Sequence, residues 1–76
     1  MEELVAYIAK SLVDHPEQVK TAQTDEDDSI TVGLTVAQED LGKVIGKQGR
    51  TARAIRSILA AAAGKENKRS RLDILE

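Results

Sequence analysis

The sequence contains no cysteine, phenylalanine or tryptophan, and one tyrosine, one histidine and one proline among 76 residues. Without cysteine there is no disulfide framework, no thiolate metal site and no thiol nucleophile, a composition that fits a reducing compartment. A lone histidine, His15, makes no metal cluster. With Tyr7 as the only aromatic side chain, a surface that stacks bases on aromatic rings is excluded. The longest apolar stretches are far too short to cross a bilayer, so no membrane insertion is expected. The chain opens on Glu2 and Glu3 with neither the basic nor the apolar region of a secretory signal, and the expected address is cytoplasmic. A chain of this length should fold as one domain, residues 1–76, around one small core.

Charge is present but unevenly placed. The net charge is −2, yet residues 1–42 carry two lysines against ten acids, a net −8, whereas residues 43–76 carry nine Lys or Arg against three acids, a net +6. The cations cluster around and after two closely spaced glycines, Gly46 and Gly49. Acids, by contrast, gather in turns and at helix starts. Adjacent acids such as Asp27 and Asp28 ordinarily stay solvated in a turn, and with one histidine at a helix end no catalytic constellation forms. Neither an enzyme nor a cofactor is expected.

Along the chain, "EELVAYIAKSLVDHP" places Leu4, Val5, Ile8, Leu12 and Val13 at helical spacing, with Glu2 and Glu3 at the positive end of the dipole and Pro16 as the stop. Tyr7 should pack at a helix edge. "EQVKTAQT" is a weak strand and "DEDDS" a polar turn. "SITVGLTVA" is a clear strand in which Ile30, Val32, Leu34 and Val36 alternate with Thr31, Gly33 and Thr35, so a hairpin is expected. Gly33 inside it marks a bulge, a close approach by another backbone or a merely tolerated glycine. Helical spacing resumes through Leu41, Val44 and Ile45, and after the glycines "RTARAIRSILAAAAG" predicts a longer helix. Ala52, Ile55, Ile58, Leu59 and Ala62 fall on its inner face, Arg50, Arg53 and Arg56 fall beside it, and Gly64 is its stop. "GKENKR" reads as a basic loop and "SRLDILE" as a last strand with Leu72 and Ile74 on one face. The order is α-β-β-α-α-β, an α+β fold. The last strand should run parallel to the second, giving a three-stranded mixed sheet with three helices on one face.

Gly46 and Gly49 bracket Lys47 and Gln48 between two helices. A tight helix connection explains one glycine; the second fits a loop whose backbone must come close to a ligand. Lacking Cβ atoms, such a loop admits a sugar-phosphate backbone to its amides and to the first N–H groups of the next helix, while Lys47 and Arg50 add positive charge. A nucleotide-hydrolase P-loop is excluded: Gly42 precedes Gly46 by one residue too few, Gln48 stands where a metal-binding Ser or Thr is needed, and a helix precedes the motif instead of a strand.

"LGKVIGKQGRTARAIRSIL", set in the α-β-β-α-α-β order, resembles a KH domain of the second topological type over essentially the whole chain, and the short stand-alone length looks like the small bacterial KhpA family of RNA-binding proteins. Gly46-Lys47-Gln48-Gly49 match the signature loop, with Val44 and Ile45 the apolar residues before it. The resemblance implies single-stranded RNA in a narrow groove. One wall would be Lys43, Val44, Ile45, the loop, Arg50 and Arg53, clamping about four nucleotides. The other would be the last strand and the loop before it, with Lys65, Lys68 and Arg69. It further implies an RNA chaperone or post-transcriptional regulator of low sequence specificity. One small domain binds modestly, so a second module is expected, as a homodimer or a heterodimer with another KH protein such as the Jag-like KhpB. A protein whose main task is that pairing is the alternative.

Overall fold

The computed structural model describes residues 1–75. Helix α1 (Glu2–Leu12) begins with both glutamates in its first turn and no side-chain cap, and Val13 leaves it in an extended conformation. Pro16 then opens a single 3₁₀ turn, Pro16–Gln18, where its fixed φ suits the first helical position. The buried stripe of α1 is Val5 and Ala9, flanked by the partly buried Met1, Ile8 and Val13. Leu4 and Leu12, expected in the core, are 36% and 40% exposed, and Tyr7 is 73% exposed instead of packing at an edge. With Val5 and Ala9 facing inward, the Leu4 and Tyr7 side of the helix faces outward.

Strand β1 (Lys20–Asp25) pairs antiparallel with β2 (Ser29–Thr35), and β2 pairs in parallel with β3 (Arg69–Leu75), in the order β1-β2-β3. The proline-bearing turn delays β1 to Lys20, later than its apolar pattern predicts. The central strand alternates as expected: Ile30, Val32 and Leu34 are buried against the helices, while Thr31, Gly33 and Thr35 lie on the opposite, uncovered face. Gly33 sits in regular register between Ala22 and Asp73 with no bulge, and a Cβ there would make only an ordinary 3.7 Å contact with Leu75, so it is a tolerated glycine.

After a second 3₁₀ turn at Gln38–Asp40 come α2 (Leu41–Ile45), a third at Lys47–Gly49, and α3 (Arg50–Gly64). The inner stripe of α3 is Ala52, Ile55, Leu59 and Ala63. Ile58, expected on it, is 45% exposed and Ala62 half-buried, because at 3.6 residues per turn Ile58 lies roughly 100° from that stripe. The alanine run therefore divides: Ala63 is core, Ala60 and Ala61 are exposed. Gly64 is the last residue of α3, as expected, though without the left-handed conformation of a glycine cap. It is helical with open space around it, and the chain turns at Asn67, whose φ is +57°, as the Lys68 N–H donates back to the Ala63 carbonyl at 3.0 Å. In β3, Leu72 is buried and Ile74 partly so, as predicted; Glu76, also expected in that strand, lies outside the described residues. The α+β fold is the expected one, a mixed three-stranded sheet with α1 over β1 and β2, α3 over β3, and α2 against α3.

Candidate functional site

The short α2 ends directly in the glycine loop. Gly46 takes φ 77° and ψ 172°, a region essentially restricted to glycine, and a Cβ there would lie 2.7 Å from Thr51 Cβ and 2.8 Å from Thr51 N. The first glycine is thus demanded by its close approach to the start of α3. Gln48 (φ 57°, ψ 26°) and Gly49 (φ 74°, ψ 14°) follow in left-handed conformations, and space around Gly49 is open. Lys47 and Gln48, between the two glycines, are exposed. Internal bonds hold the loop: Gly49 N–H donates to the Gly46 carbonyl at 3.1 Å and Arg50 N–H to that of Lys47. Arg50 also donates to Gln48 Oε1 at 3.3 Å, and Arg53 reaches the Gln48 carbonyl at 3.5 Å. No side chain caps α3, so its first N–H groups, the positive end of the dipole, open at this loop.

Lys47, Arg50 and Arg53 are exposed around the loop and Ile45 is 37% exposed beside it. Val44 is wholly buried; its side chain supports the loop from the core and lines no groove. Lys65, Lys68 and Arg69 lie at the opposite end of α3, which at 15 residues is about 22 Å long. That end has acidic company. Arg69 N–H donates to the Asp28 carbonyl at 2.8 Å and Arg69 is register partner of Ser29, so the Asp25–Asp28 turn stands beside the basic one. Charges within a Debye length of about 8 Å partly offset one another, so this acidic turn reduces the positive charge offered at the far end.

Between α3 and the free edge of β3 runs a groove of about 500 Å³ lined by Arg56, Ala60, Ser70, Arg71, Leu72 and Asp73. Arg56 crosses it to the Leu72 carbonyl at 3.4 Å, and Arg71 pairs with Asp73 at 3.1 Å. The family resemblance implies the last strand as this wall, but Arg56, read only as one of a basic row beside the inner face of α3, is not among the expected contacts. Alternation shows which face of a strand is buried, but which strand lies at the border of the sheet is a property of topology.

The other feature absent from the sequence reading is Asp40. It is 1% exposed and accepts N–H bonds from Asp14 at 3.2 Å and His15 at 2.9 Å, tying the end of α1 to the start of α2. Lys43, expected among the ligand contacts, is drawn into this cluster: its ammonium bonds the Asp14 carboxylate and stands 3.8 Å from Asp40 Oδ1. That hydrogen bond, reinforced by Coulomb attraction, holds the Asp14 carboxyl below the usual aspartate range and raises Lys43 above the usual lysine value. The His15 ring lies 3.7 Å from Glu17 and 3.4 Å from Glu39. Nothing in the order of residues marks Asp40, since an acid before a helix is an ordinary start signal.

Among the described residues, no group of three His, Cys, Asp or Glu is gathered to hold a metal ion, and no helix is long and apolar enough to cross a membrane. The arrangement offers amides, cations and a strand edge, the means of binding a polyanion and reading its bases.

Residues 2–74 match the family model described as KhpA/KhpB, KH domain. The chain is 51% identical over 76 residues to RNA-binding protein KhpA of Halalkalibacterium halodurans, covering all of both chains. It is 55% identical over 75 residues to that of Clostridium perfringens, covering 99% of this chain and all of the relative. With the Chlamydia muridarum protein of the same name it shares 46% over 76 residues, all of this chain and 97% of the relative. No solved structure is detectably similar.

Proposed function

The chain belongs to the KhpA/KhpB family of KH domains, and we propose that it is a single non-catalytic module that binds single-stranded RNA. The carrying observation is the glycine loop, with open space at Gly49, at the uncapped start of α3, the helix whose Arg56 and Ala60 line a groove against the free edge of β3. Relatives of matching length are named RNA-binding proteins. Phosphates approach the loop amides and meet Lys47, Arg50 and Arg53, while bases lie along α3 against Ile45 and Ala60 and hydrogen-bond to the outer backbone of β3. About four nucleotides fit this span, with Lys65, Lys68 and Arg69 at its far end. No aromatic ring lines the groove, so bases are held without stacking platforms and discrimination is low. Such a binder suits a cytoplasmic RNA chaperone or post-transcriptional regulator.

Fluorescence anisotropy with a short unstructured RNA across a salt series tests this. Three neutralised phosphates give a slope of log affinity against log salt of about −2. Lys47→Asp/Gln48→Asp should abolish binding while leaving the circular dichroism spectrum intact; equal binding by the folded variant overturns the reading.

A second reading, pairing with another copy or with a KhpB/Jag-like KH protein as the main role, is favoured by one feature. Ile58, 45% exposed, stands on α3 at helical spacing with the exposed Ala54 and Ala61, a smooth apolar strip suited to another helix. Sedimentation of Ile58→Asp as a monomer, where the natural chain is a dimer, supports it; a natural chain that stays monomeric with and without the partner at tens of micromolar removes it.

A further inference from the structure

The cations near the glycine loop differ in what surrounds them. Lys47 has no ion pair among those of the described residues, whereas Lys43 is engaged by two carboxylates, Asp14 and Asp40. A phosphate approaching Lys43 meets these two carboxylates together with the single ammonium. The pair with Asp14 is exposed, at 43% and 70%, and contributes little by itself. Asp40 is different: at 1% exposure it is the one buried charged residue among those described, and both its oxygens accept backbone N–H groups from the segment after α1.

Helix α2 is five residues long, too short to hold a helical conformation or a direction on its own. It runs straight into Gly46, so whatever fixes α2 fixes the loop. Its inward anchor is Val44, and its start is fixed by Asp40, which fastens the Asp14–His15 backbone to the first turn. Glu17 and Glu39 face the His15 ring at the same junction.

We propose that Asp40 and Lys43 are positioning residues: Asp40, braced by Lys43, docks α2 on the end of α1 and so sets where the glycine loop stands relative to α3, and Lys43 itself touches no phosphate. This rests on the RNA-binding reading for its affinity consequences and stands apart from it for its structural ones. It also moves Lys43 out of the contact set that the sequence predicts.

The two roles differ in sign and in salt dependence. Removing a carboxylate near a bound polyanion should strengthen binding on electrostatic grounds alone; removing a strut should weaken it. The test compares the natural chain with Lys47→Gln, Lys43→Gln, Asp40→Asn and Asp40→Ala, using anisotropy with an eight-nucleotide unstructured RNA and amide NMR of the free proteins. Lys47→Gln should make the salt slope shallower by about 0.7, and Lys43→Gln should leave it unchanged. Asp40→Asn should weaken binding about three- to tenfold at unchanged slope. It should also move the Gly46 and Gly49 amide resonances, and Asp40→Ala should move them further where it folds. A shallower slope in Lys43→Gln overturns the assignment of Lys43. Unmoved glycine resonances with equal or tighter RNA binding in Asp40→Asn overturn that of Asp40. If no RNA binds any of the proteins, the RNA-binding reading fails and the glycine resonances alone decide the positioning role.

Discussion

Replacing Gly46 by alanine should be far more damaging than the same change at Gly49, although both glycines have positive φ and lie three residues apart. At Gly49 the backbone is left-handed and nothing lies within 4 Å of a new Cβ, so the substitution costs about 1–2 kcal/mol for the conformation alone. At Gly46 the φ/ψ pair of 77° and 172° belongs to a region that L-residues avoid at about 1–3 kcal/mol. The Cβ would also press on the Thr51 side chain and stand 2.8 Å from Thr51 N. That nitrogen is the backbone of the first turn of α3 and cannot move without moving the helix, so overpacking adds about 1–3 kcal/mol more. A domain of 76 residues has a total stability of about 4–11 kcal/mol, of which Gly46→Ala removes a large part. The midpoints of these costs differ by about 2.5 kcal/mol, so at about 4–8 °C per kcal/mol for this size the two variants should melt roughly 10–20 °C apart, read by circular dichroism at matched protein concentration. Adding Thr51→Ala to Gly46→Ala should recover only part of the loss, because the backbone contact remains. Melting temperatures within about 2 °C of one another, well under the shift for 1 kcal/mol, would refute the assignment of Gly46 as the structural glycine.

The C-terminal end of α3 offers a second pair: Gly64→Ala, helical and unobstructed, should stabilise by about 0.5–1 kcal/mol, whereas Asn67→Ala at φ +57° should destabilise by about 1 kcal/mol, and urea titration reads both. Neutralising the acidic turn with Asp27→Asn/Asp28→Asn should tighten RNA binding at low salt and do so less at high salt; an unchanged affinity at low salt would show that the turn's field does not reach the groove. Because Lys43 lowers the Asp14 pKa, the pair's stabilisation is complete above the ordinary aspartate value, about 3.9, and is lost as pH falls through the lower folded value. Because Lys43 itself is raised, the same stabilisation is complete below the ordinary lysine value, about 10.4, and is lost as pH rises beyond it. The stability difference between the natural chain and Lys43→Gln should accordingly stay level through neutrality and narrow on acidification, and a difference that persists to the acid limit would refute the coupling.

The central strand and the two-glycine break were legible because each is a local pattern. Ile30, Val32 and Leu34 alternate, and Gly46 and Gly49 interrupt an otherwise helical period. What escaped was decided by packing between distant parts of the chain. Leu4 and Tyr7 look as apolar as Val5, yet only Val5 meets the sheet. Ile58 looks as buried as Leu59 until α3 takes its final rotation. Helix α3 does end at Gly64, but the left-handed turn after it is made by Asn67, whose side chain tolerates that backbone. Asp40 and Lys43 were hidden for the same reason: their partners Asp14 and His15 lie 25 or more residues earlier, and no spacing rule links them. For the candidate site, sequence located the loop and its cations, and the resemblance implied a groove walled by the last strand, while the side chains that line it, Arg56 and Ala60 against Ser70–Asp73, needed the packing of α3 on β3.

Strand β3 joins β2 only after residues 36–68 have been crossed, and this has a kinetic meaning. The hairpin of β1 and β2 and the helices can assemble from near neighbours, but the parallel pairing is non-local and belongs to the slower class of contacts. Since the groove has α3 as one side and β3 as the other, it has no counterpart in a chain whose last strand is undocked. A transient release of β3 alone would empty the groove while most of the helical signal survived. Hydrogen exchange at the β3 amides therefore measures how often the molecule is without its groove, and a ligand that spans both sides would slow that exchange before it altered any other part of the fold.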